Sequence, residues 1–170
     1  MRAAPDARPA AGRCRGFGLV EMLVALAISA TGLLGEALLL RHCLEAAGTA
    51  LRREQATALL AGIAERIRMN AAARADYALP PGAPPPAVPA CAAGAGCTPA
   101  ELAAVDLAQW LTDVAATLPA APGVPGPAAI VIASDAGGTD RLELTLYWGE
   151  PGAATPAALT LALLLAGAAP

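Results

Sequence analysis

The sequence predicts an α+β fold in which a long N-terminal α-helix carries a small head with one further helix and an antiparallel β-sheet. Three observations lead to this prediction. An apolar run covers residues 22–40, and apolar residues then recur at helical spacing to about residue 70. A segment with clear helix signals covers residues 99–118. Strand-like segments then occupy about 129–134, 141–148 and 157–165. With 170 residues, the chain has room for one modest domain beside an anchor.

Charge is distributed unevenly along the chain. All eleven basic residues are Arg, and four of them fall within residues 1–16, against a single Asp. The remainder holds seven Arg against thirteen acidic residues, a net charge of −6. A positive leader ahead of an apolar run keeps that end in the cytoplasm. The acidic remainder offers no basic face for a phosphate backbone, which argues against nucleic-acid binding.

Residues 1–15 are polar and contain Pro and Arg, and we interpret them as a targeting leader outside the fold. A conventional secretory signal would place a small-residue cleavage site after the apolar run. Here the run ends at Leu40 and is followed by Arg41-His42-Cys43. The charged residues beside Cys43 also disfavour a lipoprotein signal.

The apolar run from Met22 to Leu40 contains a single interior charge, Glu36. At about 1.5 Å per residue, its 19 residues span ~28 Å as a helix, close to the ~30 Å of a bilayer core. We therefore expect a single transmembrane helix, which continues without a breaker to Asn70. Gly32 and Gly35 either allow close helix approach or reflect the ordinary frequency of small residues in membrane helices. We expect the following apolar stripe to carry the head: Leu44, Leu51, Leu59, Ile63 and Ile67.

The segment from Leu79 to Gly96 is rich in Pro, Gly and Ala, which excludes regular secondary structure. Cys91 and Cys97 lie close together in it, beyond the membrane, where oxidation is expected, so we predict a disulfide between them and a free Cys43. A metal site is not predicted, because the pair lacks further ligands.

The next segment begins as Thr98-Pro99-Ala100-Glu101, which combines a capping hydroxyl, a proline at the first helical position and a Glu at the third. We expect the helix to end at Pro119 and to bury one face: Leu107, Trp110, Leu111, Val114 and Leu118.

The last part of the chain predicts strands. Ile130-Val131-Ile132 is β-branched, a turn follows at residues 135–140, and residues 141–148 alternate strictly. This is typical of an antiparallel hairpin with one face buried. Residues 157–165 are apolar but too short to span a bilayer as a helix, so we favour a third strand over a helix.

The sequence gives little support for a catalytic function. His42 is the only histidine, at the membrane boundary, and the two serines, Ser29 and Ser134, lie in the apolar run and at a strand end. No Ser/His/acid arrangement follows from these positions. Asp106 and Asp113 are interpreted as solvated residues on a helix surface. The sequence thus predicts no enzyme, no cofactor and no small-molecule substrate.

The junction Gly16-Phe17-Gly18-Leu19-Val20-Glu21 ahead of the apolar run resembles the class III signal of type IV pilins and pseudopilins. The resemblance implies that prepilin peptidase cleaves between Gly16 and Phe17 and methylates Phe17. It also implies that Glu21 pairs with the Phe17 amine of a neighbouring subunit during assembly. The alternative is a first-turn Glu stabilised by the helix dipole. Gly18 departs from the family pattern, which more often has Thr or Ser there.

Other segments resemble minor pilins of the type IV pilus modification protein PilV family. They are Gly32-Leu33-Leu34-Gly35, residues 64–70, residues 106–110, Leu118-Pro119 and a strand that ends in Trp148. Glu36 departs from that pattern, which has an apolar residue there. The resemblance implies a leader (1–16), an assembly helix (17–40) and a periplasmic head (41–170) with a helix over 41–70 and a loop over 79–97.

The same resemblance implies a low-abundance subunit that helps initiate pilus assembly with other minor and major pilins. It would be a single-pass inner-membrane protein before assembly, and part of a cell-surface pilus after it. The alternative is a minor pseudopilin of a type II secretion system. Residues 65–70 and Gln109-Trp110 distinguish the two and favour the pilus. A third hypothesis is a solitary membrane-anchored binding module, which would not need a Glu at this position.

Overall fold

The computed structural model describes residues 16, 18–93, 96–134 and 139–166. The chain forms two compact units, Met1–Glu45 and Ala46–Pro170. Its elements are helix α1 (Leu19–Met69), two 3₁₀ helices (Ala71–Tyr77 and Ala90–Ala93), helix α2 (Pro99–Thr117) and strands β1 (Ala128–Ser134), β2 (Thr139–Trp148) and β3 (Ala157–Ala166). The α+β prediction is thereby confirmed. Among the described residues, every buried core residue lies in the second unit.

Helix α1 contains 51 residues, about 77 Å at the standard rise, and no proline interrupts it. The residues of α1 that are buried in the core are small or branched: Ala56, Leu60, Ile63, Ala64 and Ile67. The predicted stripe was wrong at two positions, since Leu44 and Leu51 are 65% and 54% exposed. At 3.6 residues per turn, Leu51 lies about 160° around the helix from Ile67, so it points away from the buried face, and Leu44, seven residues before it, lies on the same side as Leu51.

Helix α2 begins as the sequence predicts. The Thr98 hydroxyl accepts a hydrogen bond from the Glu101 backbone N–H at 3.3 Å, and the Glu101 carboxylate accepts from the Thr98 N–H at 2.9 Å. The Thr98 hydroxyl also donates to the Glu101 carboxylate at 2.8 Å, and this bond and that from the Thr98 N–H lower the pKa of Glu101. The predicted apolar face of α2 is buried along its whole length.

The three strands form one antiparallel sheet in the order β1-β2-β3. On β2 the predicted alternation is confirmed, because Leu142, Leu144, Leu146 and Trp148 are all buried. Residues 157–166 are a strand rather than a helix. Of the predicted turn, residues 135–138 lie outside the described residues, while Thr139 and Asp140 already belong to β2.

The Pro-rich segment contains more regular structure than predicted. Leu79 pairs with Ile130 of β1 through two backbone hydrogen bonds, of 2.9 and 2.8 Å, and a 3₁₀ helix covers Ala90–Ala93. A disulfide joins Cys91 to Cys97, and the Cys43 thiol is free and exposed. The segment is therefore fixed to the head at both ends.

Candidate cleavage and assembly segment

The N-terminal end of α1 begins directly after the predicted cleavage junction. The Met22 N–H donates to the Gly18 carbonyl at 3.2 Å, which forms the first helical turn. Gly16 is exposed, and a Cβ added at Gly16 or Gly18 would meet no atom within 4 Å. Phe17 lies outside the described residues. Packing within the described chain therefore requires a glycine at neither position 16 nor position 18.

Glu21 lies in the first turn of α1, where the partial positive charge of the helix terminus favours a carboxylate. Its side chain is exposed and forms no hydrogen bond or ion pair with another described residue. The Glu36 carboxylate, further along the same segment, is also exposed and without a partner among the described residues. Any counter-charge for Glu21 must come from Phe17, from the leader or from another molecule.

The N-terminal part of α1 is an apolar surface. Every residue from 19 to 47 is exposed, and the large side chains among them, from Leu19 to Leu44, are each more than half exposed. The helix is long and apolar enough to cross a membrane, by length and composition. The Thr31 hydroxyl in this segment donates to the Ala27 and Ile28 carbonyls at 3.1 and 2.9 Å. This hydroxyl is therefore satisfied within the helix and needs no water. The segment is suited to a lipid or a protein environment.

The charged end of this segment is marked by an ion pair. Arg41 Nε donates to the Glu45 carboxylate at 2.9 Å, one helical turn further on, and both side chains are exposed. An exposed pair of this kind contributes little stability, about 0.3–0.5 kcal/mol. It lies directly after Leu40, where the apolar run of the sequence ends.

In the head, one carboxylate ties the sheet to α1. Glu150, just after β2, accepts hydrogen bonds from Thr49 at 3.2 Å, from Arg52 at 3.1 Å and from the Trp148 indole N–H at 2.7 Å. The Arg52 and Glu150 side chains are only 21% and 14% exposed. Sequence reasoning missed this group, because its members are about 100 residues apart and no local spacing links them.

A second polar group joins the end of α1 to α2. The Tyr77 hydroxyl donates to Asp106 Oδ2 at 2.6 Å, and Asn70 Nδ2 donates to the Pro99 carbonyl at 2.7 Å and to the Tyr77 hydroxyl at 3.3 Å. Arg66 approaches Asp106 Oδ1 at 3.5 Å. Burial, and then the hydrogen bond to Asp106, raise the pKa of Tyr77 to about 12.

The interpretation of Asp106 as a solvated surface residue was therefore wrong. Its side chain is 16% exposed and holds Tyr77 and Arg66. Asp113 is half-buried and accepts a hydrogen bond from Gln109 at 3.0 Å, one turn away on α2. The two acids have separate partners, and the structure does not bring them together as a catalytic pair.

Two further contacts fix the head. The Trp110 indole N–H donates to the Leu59 carbonyl at 3.0 Å, which joins α2 to α1. The Arg74 guanidinium, 9% exposed, binds Asp140 of β2 at 2.5 Å. The hydrogen bond from Ser134 and that from Arg74 lower the pKa of Asp140. All of these contacts are between elements of the head and serve its stability.

Open grooves of about 470 and 310 Å³ lie between α1 and α2, and both are lined by Gly62 and Arg66. Over the described residues, no group of three His, Cys, Asp or Glu side chains is placed to hold a metal ion. The charged groups in these grooves are already engaged, since Arg66 contacts Asp106.

Comparison with protein families gives two matches. The prokaryotic N-terminal methylation motif matches residues 12–35, and a family described as type IV pilin Tt1218 matches residues 37–108. Neither the comparison with curated proteins nor that with solved structures gave a match. The first match covers the cleavage junction, Glu21 and the exposed apolar helix, and the second covers the rest of α1 and about half of α2.

These matches and the architecture agree, and together they support a type IV pilin-like protein. The methylation motif implies processing by prepilin peptidase and assembly with other pilins. The apolar helix and the motif fit an inner-membrane anchor that passes into a pilus. The family is structural, which agrees with the prediction that the chain is not an enzyme.

Proposed function

We propose that this chain is a minor pilin of a type IV pilus, which helps to initiate assembly as part of a priming complex at the tip. The observation that carries the proposal is the methylation motif followed by an exposed apolar helix. Cleavage of the Gly16–Phe17 peptide bond would free the Phe17 amine for methylation. Residues 17–40 would then hold the subunit in the inner membrane with its head, residues 41–170, in the periplasm.

Glu21 is the residue that we assign to assembly. A carboxylate within an apolar helix costs up to ~3 kcal/mol when it is unpaired at depth in a bilayer. The described residues supply no partner for it. The Phe17 amine of a neighbouring subunit would neutralise this charge in a low-dielectric surrounding, which would attract the processed subunit into the assembly and fix its axial register.

The PilV-type resemblance supports the pilus over a secretion pseudopilus. Two of the segments that carry it, residues 64–70 and 106–110, meet in the head, where Arg66 contacts Asp106. The Trp110 indole of the second segment also bonds to Leu59 of α1, so these two segments belong to one α1–α2 interface. A minor pseudopilin of a type II secretion system shares the motif, the Glu and a small head, and is the alternative that the experiment must separate.

The test is incorporation of Glu21 variants. Glu21→Ala and Glu21→Gln should insert into the membrane and be cleaved, because neither touches the scissile bond. Both should be depleted from sheared pili by about tenfold or more, which corresponds to the loss of one buried charge-assisted hydrogen bond. Glu21→Asp should be intermediate. The ratio of pilus-bound to total membrane-bound protein is measured by immunoblotting, with Glu36→Gln, in the same apolar helix, as a matched control.

Equal incorporation of Glu21→Ala and the wild-type chain would reduce Glu21 to a helix-start residue. Recovery of the wild-type chain only with the pseudopilus of a secretion system, and not with sheared pili, would favour the alternative. Recovery with neither assembly would leave the solitary membrane-anchored module as the better account.

A further inference from the structure

The outer edge of β3 can be assigned residue by residue. Ile130 of β1 exchanges both of its backbone hydrogen bonds with Leu79. The backbone N–H and C=O groups of Ile130, and of every second residue from it along β1, therefore point away from β2. The register of β1 with β2, and then of β2 with β3, carries this alternation across the sheet. It follows that the odd-numbered residues of β3 bond to β2, while Ala158, Thr160, Ala162 and Leu164 point their N–H and C=O groups outward.

These outward groups have no partner among the described residues. No backbone or side-chain hydrogen bond reaches the main chain of these four residues, and all four are exposed. Only the end of the edge is closed, because Arg74 donates to the Ala166 carbonyl at 3.0 Å. The other edge of the sheet is guarded, since Leu79 pairs with Ile130 and is followed by Pro80 and Pro81, which have no N–H to offer.

The β3 edge also lacks the features by which proteins protect an exposed strand. It contains no charge, no proline and no interruption of its ten-residue register, whereas the charges of the described sheet all lie on β2: Asp140, Arg141 and Glu143. Edge strands are ordinarily protected by charges, prolines, bulges or short length. On the face of β3 toward the core, four leucines are only half-buried: Leu159, Leu161, Leu163 and Leu165.

We propose that an extended segment of a neighbouring subunit in the assembly adds to the sheet as a fourth strand beside β3. This inference rests on the proposed function for the identity of the neighbour. An extended main chain is the partner that pairs with alternate N–H and C=O groups along a strand edge together. The half-buried leucines require apolar side chains at alternate positions of the donor, and the uncharged edge offers no partner to a charge.

The donor belongs to a different kind of subunit rather than to a second copy of this chain. Residues 46–170 hold six Arg against ten acidic residues, a net charge of −4, so two copies of this head repel each other. The Arg74 contact at Ala166 limits the free edge to residues 158–164, a length of about seven residues. A donor strand of that length with no charge facing the sheet satisfies all the open groups.

Ala162→Pro provides the test, because the Ala162 N–H points outward and its loss breaks no hydrogen bond to β2. Proline is tolerated in edge strands for this reason. The matched control is Ala162→Thr, which keeps the N–H and suits a strand. Both full-length chains are produced in cells with the natural set of subunits, and their amounts in sheared filaments are compared. We expect Ala162→Pro to be depleted by about tenfold relative to Ala162→Thr, from the loss of one or two interchain hydrogen bonds.

A photo-crosslinking residue identifies the donor. Benzophenone-alanine is placed at Leu164, which is 73% exposed, and at Val131, the control, which is 52% exposed on β1. We expect an adduct only at position 164, mapped by mass spectrometry to an uncharged extended segment of another subunit. An adduct of β3 with β3 would overturn the proposal in favour of a second copy, and adducts of equal yield at both positions would overturn strand addition.

The outcomes separate this inference from the function on which it rests. If the wild-type chain is present in filaments but Ala162→Pro and Ala162→Thr enter equally, strand addition is wrong and the pilin function stands. If the wild-type chain is absent from filaments, the proposed function fails and strand addition fails with it. Equal thermal unfolding temperatures of the two variants in detergent exclude a simple folding defect.

Discussion

Replacing Tyr77 by Phe should destabilise the head and remove part of its alkaline sensitivity. Tyr77 is fully buried, and its hydroxyl donates to Asp106 at 2.6 Å. A hydrogen bond to a charged acceptor contributes ~2 kcal/mol. Asn70 loses its longer bond to the hydroxyl, of 3.3 Å, but keeps its bond to the Pro99 carbonyl in the variant. For a head of this size we expect an unfolding temperature lower by about 8 °C.

The pH dependence follows from the pKa of Tyr77, which is raised to about 12 in the folded chain. In the unfolded chain it returns to about 10. Because the folded pKa is the higher one, the stabilisation is fully present below pH 10 and is lost as the pH rises from about 10 to 12. In that window the wild-type head should lose ~1.4 kcal/mol per pH unit more than Tyr77→Phe does.

Urea unfolding followed by tryptophan fluorescence measures this difference, since both tryptophans, Trp110 and Trp148, are buried in the head. The experiments use a Cys43→Ser background, because a free thiolate at high pH would attack the disulfide. Tyr147→Phe is the control, as the Tyr147 hydroxyl bonds to no described residue. Parallel stability curves for wild type and Tyr77→Phe from pH 8 to 11.5 would refute a raised pKa for the buried Tyr77 hydroxyl.

Three further changes test contacts of the head. Replacing Cys91 and Cys97 together by Ser should lower the free energy of unfolding, measured with urea, by ~2 kcal/mol. Membrane insertion, measured by fractionation, should be unchanged. Unaltered stability would contradict the prediction. Trp110→Phe removes the indole donor to an α1 carbonyl and should cost ~1–2 kcal/mol in the same assay, whereas a neutral result would mean that this hydrogen bond does not stabilise the contact of α2 with α1. Glu150→Gln removes a half-buried charge shared by three donors and should cost about 2 kcal/mol, measured by thermal unfolding; a gain in stability would show that desolvation of the carboxylate outweighs its bonds.

The elements that local sequence determines were predictable. The Thr98 cap, the α2 face and the alternation on β2 all depend on residues a few positions apart, and the structure has each of them. The strand over residues 157–166 was predictable from its length and flanks, although its composition alone fits a helix.

Contacts between distant residues were not predictable. Glu150 and Arg52 lie 98 residues apart, and Arg74, within an alanine-rich stretch, gives no sign that β2 will bury it. Asp106 illustrates the same limit, because a helical acid is solvated unless a distant tyrosine reaches it. The stripe on α1 failed at Leu44 and Leu51 because both lie on the side of the helix that faces away from its buried residues.

The central claim is that this chain is cleaved after Gly16 and enters a filament as a processed subunit. Intact-mass measurement of the chain recovered from sheared filaments tests it most directly. The account predicts a single form that begins at N-methylated Phe17, and an uncleaved precursor that stays in the membrane when Gly16 is replaced by a bulkier residue. A filament-bound chain that begins at any other residue, or that retains residues 1–16, would contradict it.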